Sequence, residues 1–109
     1  MSANEPSKYL LFRGDTLLGT ITHDQGQDDW PWQYGSFASS PEFASARHLF
    51  DKGVRLLGAR RNEEFARIWT EIQEPGLRMQ MIGTNKILRG GLVHIDGEKV
   101  SWRSMRDTP

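Results

Sequence analysis

The apolar residues of this chain change their spacing twice, and that change limits the possible folds more than any other feature. Toward both ends they alternate with polar residues, as in strands, while between residues 43 and 72 they recur every three or four, as in helices. Tyr9-Leu10-Leu11-Phe12 and Leu17-Leu18-Gly19-Thr20-Ile21-Thr22 flank Arg13-Gly14-Asp15-Thr16, which predicts a hairpin turning at Gly14-Asp15. Both faces of that hairpin carry apolar residues. It therefore sits centrally in a sheet, or has one face covered by the loop that follows.

Ser40-Pro41-Glu42 has the chemistry of a helix start: a capping hydroxyl, a proline at the first helical position and an acid against the helix dipole. Phe43, Ala46, Leu49, Phe50 and Val54 continue at helical spacing, with a stop expected near Gly53. Asn62 is expected to cap a second helix, in which Phe65, Ile68, Trp69 and Ile72 line one face and Pro75-Gly76 ends the run. Leu77, Met79 and Met81 alternate as a strand. The two methionines at that spacing are core filler. Ile87-Leu88 is a short segment that pairs before Gly90-Gly91. Leu92 to Ser104 predicts a last hairpin with Asp96-Gly97 as a two-residue type I′ loop, placing Val93, Ile95, Val100 and Trp102 on its core face.

These elements predict an α+β fold in the order ββααβ(β)ββ. The antiparallel sheet has about four to six strands, two hairpins plus a linking strand, with two helices packed on one face through Phe43, Phe50, Phe65, Ile68, Trp69 and Ile72. At 109 residues the chain can bury one core but not two. A disordered tail over 1–7 and a single domain over 8–109 are expected. With 37% apolar residues, including eleven aromatics, the composition is that of a folded chain.

Composition also excludes chemistry. The chain has no cysteine, which removes disulfides, thiolate metal sites and a thiol nucleophile. The first residues lack the apolar stretch of a secretory signal, and no run matches a transmembrane helix, so a cytoplasmic location is expected. Fourteen basic and fourteen acidic residues cancel in blocks: residues 1–46 carry −4, 47–61 carry +4, 62–76 carry −3 and 77–109 carry +3. A neutral total argues against nucleic-acid binding, which draws its affinity from phosphate neutralisation. Arg55, Arg60 and Arg61, with Arg47 and Lys52 nearby, are expected to compensate Glu63, Glu64 and the acidic loop. Neither a Gly-x-Ser-x-Gly elbow nor a glycine-rich phosphate loop occurs, and an enzyme is not the first expectation.

The best functional lead is the stretch from His23 to Ser40, read as a long loop. It opens with Asp24, Asp28 and Asp29 and then places Trp30, Trp32, Tyr34 and Phe37 within eight residues. Trp and Tyr supply large contact area at low entropic cost, as binding hot spots require. The plainer reading is that these aromatics cover an open sheet face and that Asp28 or Asp29 forms the turn before Trp30-Pro31. The expected function is a small non-catalytic module of bacterial type that binds a protein through residues 30–37; an inhibitor- or immunity-type protein would have this size. The alternative is a small-ligand binder or minor enzyme with a polar site formed by His23, Asp24 and His94 near the same loop. No metal and no cofactor is expected, because these histidines and acids lack any ligand spacing.

Overall fold

A computed structural model describes residues 6–103 and 105–107 of the chain. Three strands come first: β1 (Lys8–Arg13), β2 (Thr16–His23) and β3 (Gln33–Ser39). Two helices follow, α1 (Arg47–Gly58) and α2 (Asn62–Gln73). The remaining strands are β4 (Leu77–Met81), β5 (Ile87–Arg89), β6 (Leu92–Asp96), β7 (Lys99–Arg103) and β8 (Arg106–Asp107). All pair antiparallel in one sheet, ordered β6-β7-β3-β2-β1-β4-β5-β8 and curled into a half-barrel. Helix α1 packs along β6 and against α2.

This corrects the expected fold. The sheet has eight strands among the described residues, not four to six, and the elements run βββααβββββ. The main omission is β3, which lies inside the stretch read as a loop. Its sequence, Gln-Tyr-Gly-Ser-Phe-Ala-Ser, has few strand formers, and only Phe37 is buried. Its place in the sheet is nevertheless central. It pairs with β2 on one side and β7 on the other, joining the first hairpin to the last. The other omission, β8, is two residues long and too short to carry a pattern.

The core lies on one side of the strands. Tyr9, Ile21 and Phe37 form one row across β1, β2 and β3; Gly35, Val100 and Ile95 form another; Gln33, Trp102 and Val93 form a third. A bulge opposite Leu11 and Phe12 adds Leu18 to the same buried cluster. The first hairpin turns at Gly14-Asp15, with Arg13 opposite Thr16 and φ at Gly14 of 60°. In the last hairpin Asp96 pairs with Lys99, so the turn is Gly97-Glu98 rather than Asp96-Gly97. Positive φ falls on Gly97 alone among the two, as a type II′ turn requires. The register moves by two residues, so the same side chains still face the core.

Three helix boundaries differ from expectation as well. Pro41–Ser45 is a 3-10 helix, and α1 starts only at Arg47. The Ser40 hydroxyl does not cap; it donates to the Leu17 carbonyl instead. That bond holds the segment on β2 while Phe43 packs edge-on against Phe37 at 5.1 Å. Helix α1 then runs through Gly53, whose Cα faces α2: a Cβ there would lie 3.9 Å from Phe65, Ile68 and Ile72. It ends at Gly58, and Arg60, just past the cap residue Ala59, sits in the left-handed region at φ 58°. The Arg60 amide donates to Leu57 (3.1 Å) and the Arg61 amide to Leu56 (3.0 Å), which is a Schellman closure. Asn62 is the first residue of α2 rather than its cap. Of the expected tail, residues 1–5 lie outside the described residues, and the Ser7 carbonyl accepts the His23 amide at 2.9 Å.

Candidate functional site

The segment between β2 and β3 is held from its base. A 3-10 turn, Gln25–Gln27, carries the chain to Asp28, whose carboxylate turns back beneath it. His23 Nε2 lies 3.0 and 3.1 Å from the two Asp28 oxygens, and one of them accepts the Tyr34 amide at 3.0 Å. An ionised carboxylate only accepts, so Nε2 carries the proton of this bond. His23 itself is buried and meets the Trp102 ring edge-on at 5.2 Å. The chain of contacts therefore runs from the centre of the core, through His23 and Asp28, to the start of β3.

Above this base Asp29 and Trp32 face each other across a tight turn. The Asp29 amide donates to the Trp32 carbonyl (2.9 Å) and the Trp32 amide to the Asp29 carbonyl (2.7 Å). Trp30 and Pro31, joined by a cis bond, form the tip. Trp30 is 92% exposed, more than any other large apolar side chain described. Removing the base is expected to loosen the tip. Asp28→Ala leaves the buried His23 nitrogen and the Tyr34 amide without their acceptor, which costs about 2 kcal/mol. Urea denaturation measures that loss, and faster amide exchange at Tyr34 localises it.

On the strand face that carries His94 and Arg103 a second cluster forms. The His94 ring lies 5.2 Å from Trp32 and 5.6 Å from Phe65 at the start of α2, and the Arg103 guanidinium stacks over Trp32 at 5.2 Å. Burial first, and then the field of Arg103, push the His94 pKa below its ordinary value of 6.5. Folded chains thus bind this proton less readily than unfolded ones. As pH falls through the ordinary histidine value the unfolded state is protonated first, and stability declines until the folded group titrates as well. Melting temperature is expected to fall between roughly pH 7.5 and 5, and His94→Phe, which keeps a ring between Trp32 and Phe65, should flatten that decline.

The structure separates the residues expected to form a polar site. His23 shares its row with Gly35 and Val100 on the core side, whereas His94 shares its row with Ser101 and Tyr34 on the other. Alternation therefore points the two imidazoles to opposite faces. The carboxylate that reaches His23 is Asp28, and Asp24 is exposed. The aromatic segment divides too: Phe37 is core, Trp32 and Tyr34 are half-buried, and only Trp30 stands free. Asp28 as anchor was missed; its position five residues after His23, across a short turn, is the only sequence signal for it. Among the described residues no three histidines or acids gather as a metal site.

Two hollows flank Tyr34. One, of about 630 Å³, is lined by Thr22, Asp24, Gln27, Tyr34, Ser36 and Lys99. The other, of about 280 Å³, is more apolar and lies between α1 (Val54, Leu57) and the sheet (Tyr34, His94, Lys99). Of the basic residues between the helices, Arg61 pairs with Glu64. Among the described residues Lys52, Arg55 and Arg60 have no carboxylate within 4.0 Å. No described helix is long and apolar enough to cross a membrane. Comparison with protein-family models, with curated proteins and with solved structures gives no match, so geometry alone carries the functional reading.

Proposed function

We propose that this chain is a non-catalytic protein-interaction module that engages its partner through Trp30. The observation that carries the reading is the exposure of Trp30, 92%, on a turn hydrogen-bonded across its base and tied through Asp28 to a buried histidine. A tryptophan held in this way loses little freedom on binding, so more of its burial appears as affinity. Asp29 lies exposed next to it in the chain, and Asp24 is exposed at the start of the same segment, which favours a partner whose pocket has a basic rim.

The test is capture from source-cell lysate with wild type and Trp30→Ala. The substitution touches almost nothing in the folded chain, so stability should change by less than about 0.5 kcal/mol. Loss of a hot-spot tryptophan should weaken the captured complex by about 30-fold or more, a cost of about 2 kcal/mol. Capture by both chains alike overturns the reading.

A second reading rests on the polar hollow of about 630 Å³ beside Tyr34, whose size suits a small ligand. His23 and Asp24 border it, while His94 does not. A metabolite screen by thermal shift, repeated with Ser36→Trp to fill the hollow, separates this reading from the first.

A further inference from the structure

We infer that the polar hollow beside Tyr34 is a regulatory site that takes a basic amino acid and, when filled, steadies the Trp30 turn. This rests on the reading of that hollow as a ligand site; it names the ligand class and what binding does to the turn. The hollow of about 630 Å³ has two walls from different parts of the chain. One wall is the root of the turn: His23, Asp24, Gln27 and Tyr34. His23 and Tyr34 are the two residues that Asp28 joins, and Asp24 and Gln27 stand at the two ends of the 3-10 turn. The Asp24 amide donates to the Tyr34 carbonyl at 2.8 Å, so this wall exists only while both ends of the segment are held together. The other wall is sheet framework. Ser36 pairs with Lys99 across β3 and β7, and the Phe37 amide donates to the Glu98 carbonyl at 2.8 Å. A molecule that touches both walls ties the root of the turn to the sheet. Because it binds the closed arrangement, it lowers the population of the open one.

Charge selects the ligand class. Asp24 and Glu98 line the hollow against one ammonium, Lys99. None of the three has a partner of opposite charge within 4.0 Å among the described residues. His23 is taken by Asp28, and Asp96, opposite Lys99 on β6, is a further acid outside the lining. The surroundings are thus net negative with a single cation. A ligand with two cationic groups and one carboxylate complements two acids and one ammonium, while Gln27, Ser36 and Thr22 offer hydrogen bonds around it. Free arginine and free lysine have that pattern. The charged groups are exposed, so each contact is weak and a Kd of about 1 mM is expected.

Titration of the chain with L-arginine, followed by amide chemical shifts, tests the site. Shifts at Gln27, Tyr34 and Lys99 should saturate, while L-glutamate and glucose leave them in place. Agmatine, which is arginine without its carboxylate, should bind more weakly than arginine, and Lys99→Gln should remove that difference. Asp24→Asn should weaken both several-fold. Regulation is read from amide exchange at Tyr34, which L-arginine at ten times its Kd should slow by about tenfold. L-Glutamate at the same concentration controls for ionic strength. The absence of saturable binding by L-arginine, or equal binding of L-glutamate, overturns the inference. Saturable binding with exchange at Tyr34 unchanged overturns the regulation and keeps the ligand class. A metabolite other than a basic amino acid that binds in the hollow overturns the class and keeps the ligand site. Every readout uses the chain without its partner, so the Trp30 contact stands or falls separately, by capture.

Discussion

Gly35→Ala is expected to destabilise the fold by about 3 kcal/mol, at the upper end of what overpacking costs, and to free the Trp30 turn. Gly35 sits in the middle of the sheet, opposite His23 on β2 and Val100 on β7. A Cβ there would lie 2.3 Å from the Thr22 carbonyl oxygen, 3.1 Å from its carbon and 3.3 Å from the His23 Cα. All three atoms are backbone, so no side-chain rotation relieves the clash; β3 must move away from β2. Such a move pulls the Tyr34 amide from Asp28 and with it the anchor of the turn. Gly19 marks the same close approach at the other end of the pair, where a Cβ would lie 2.4 Å from the Ala38 carbonyl. Gly26 is the control: an added Cβ would meet only the Asp24 carboxylate, at 3.5 Å. Gly35→Ala should lower the melting temperature by roughly 12–20 °C and Gly26→Ala should leave it nearly unchanged. Equal effects would mean that strand separation is not what the glycine prevents.

Short-range signals were readable in the sequence, and long-range pairing was not. The turn at Gly14-Asp15 and the apolar face of α2 depend on residues close together in the chain, and both stand where their patterns put them. The core face of the last hairpin also stands, even though its turn lies one residue later than expected, because a two-residue register shift preserves parity. Strand β3 depends instead on partners far away in sequence. Gly35, Ser36, Ala38 and Ser39 have little intrinsic preference for a strand, and their pairing with β2 and β7 supplies what propensity lacks. The helix start at Ser40 failed for a related reason. Tertiary contacts of Phe43 with Phe37, and of the Ser40 hydroxyl with Leu17, outweigh the local capping chemistry.

The candidate site inherited that omission. Grouping His23 with Asp24 and His94 used residue type alone, and whether two histidines meet depends on which faces their strands present. With β3 in place between β2 and β7, the rows assign them to opposite sides. Trp30 and Trp32 are equivalent as sequence; what distinguishes them is the Asp29–Trp32 turn, which sends one ring outward and lays the other on His94. The acidic residues before them were legible as turn formers, and Asp28 does hold the turn, but through a buried histidine rather than as a solvated loop residue.

Trp102→Ala is expected to have the largest effect of any single truncation, about 4–5 kcal/mol, against a total stability of about 5–15 kcal/mol for a fold of this kind. The side chain is fully buried at the centre of the strand rows, edge-on to Tyr9 at 6.1 Å and to His23 at 5.2 Å. Its loss leaves a cavity beneath the His23–Asp28 anchor, so amide protection at Tyr34 should fall together with global stability. Trp102→Phe separates packing from polarity. The Trp102 Nε1 donor is buried and meets no acceptor among the described residues. Phenylalanine removes that unpaired group, which offsets about 1–3 kcal/mol of the packing lost with the larger ring. The expected cost of Trp102→Phe is therefore less than half that of Trp102→Ala, with the His23 anchor retained. Guanidinium denaturation of the two variants measures both costs. Should Trp102→Phe prove as damaging as Trp102→Ala, the indole nitrogen has a partner after all, and an internal water bridging it to the His23 region becomes the group to look for.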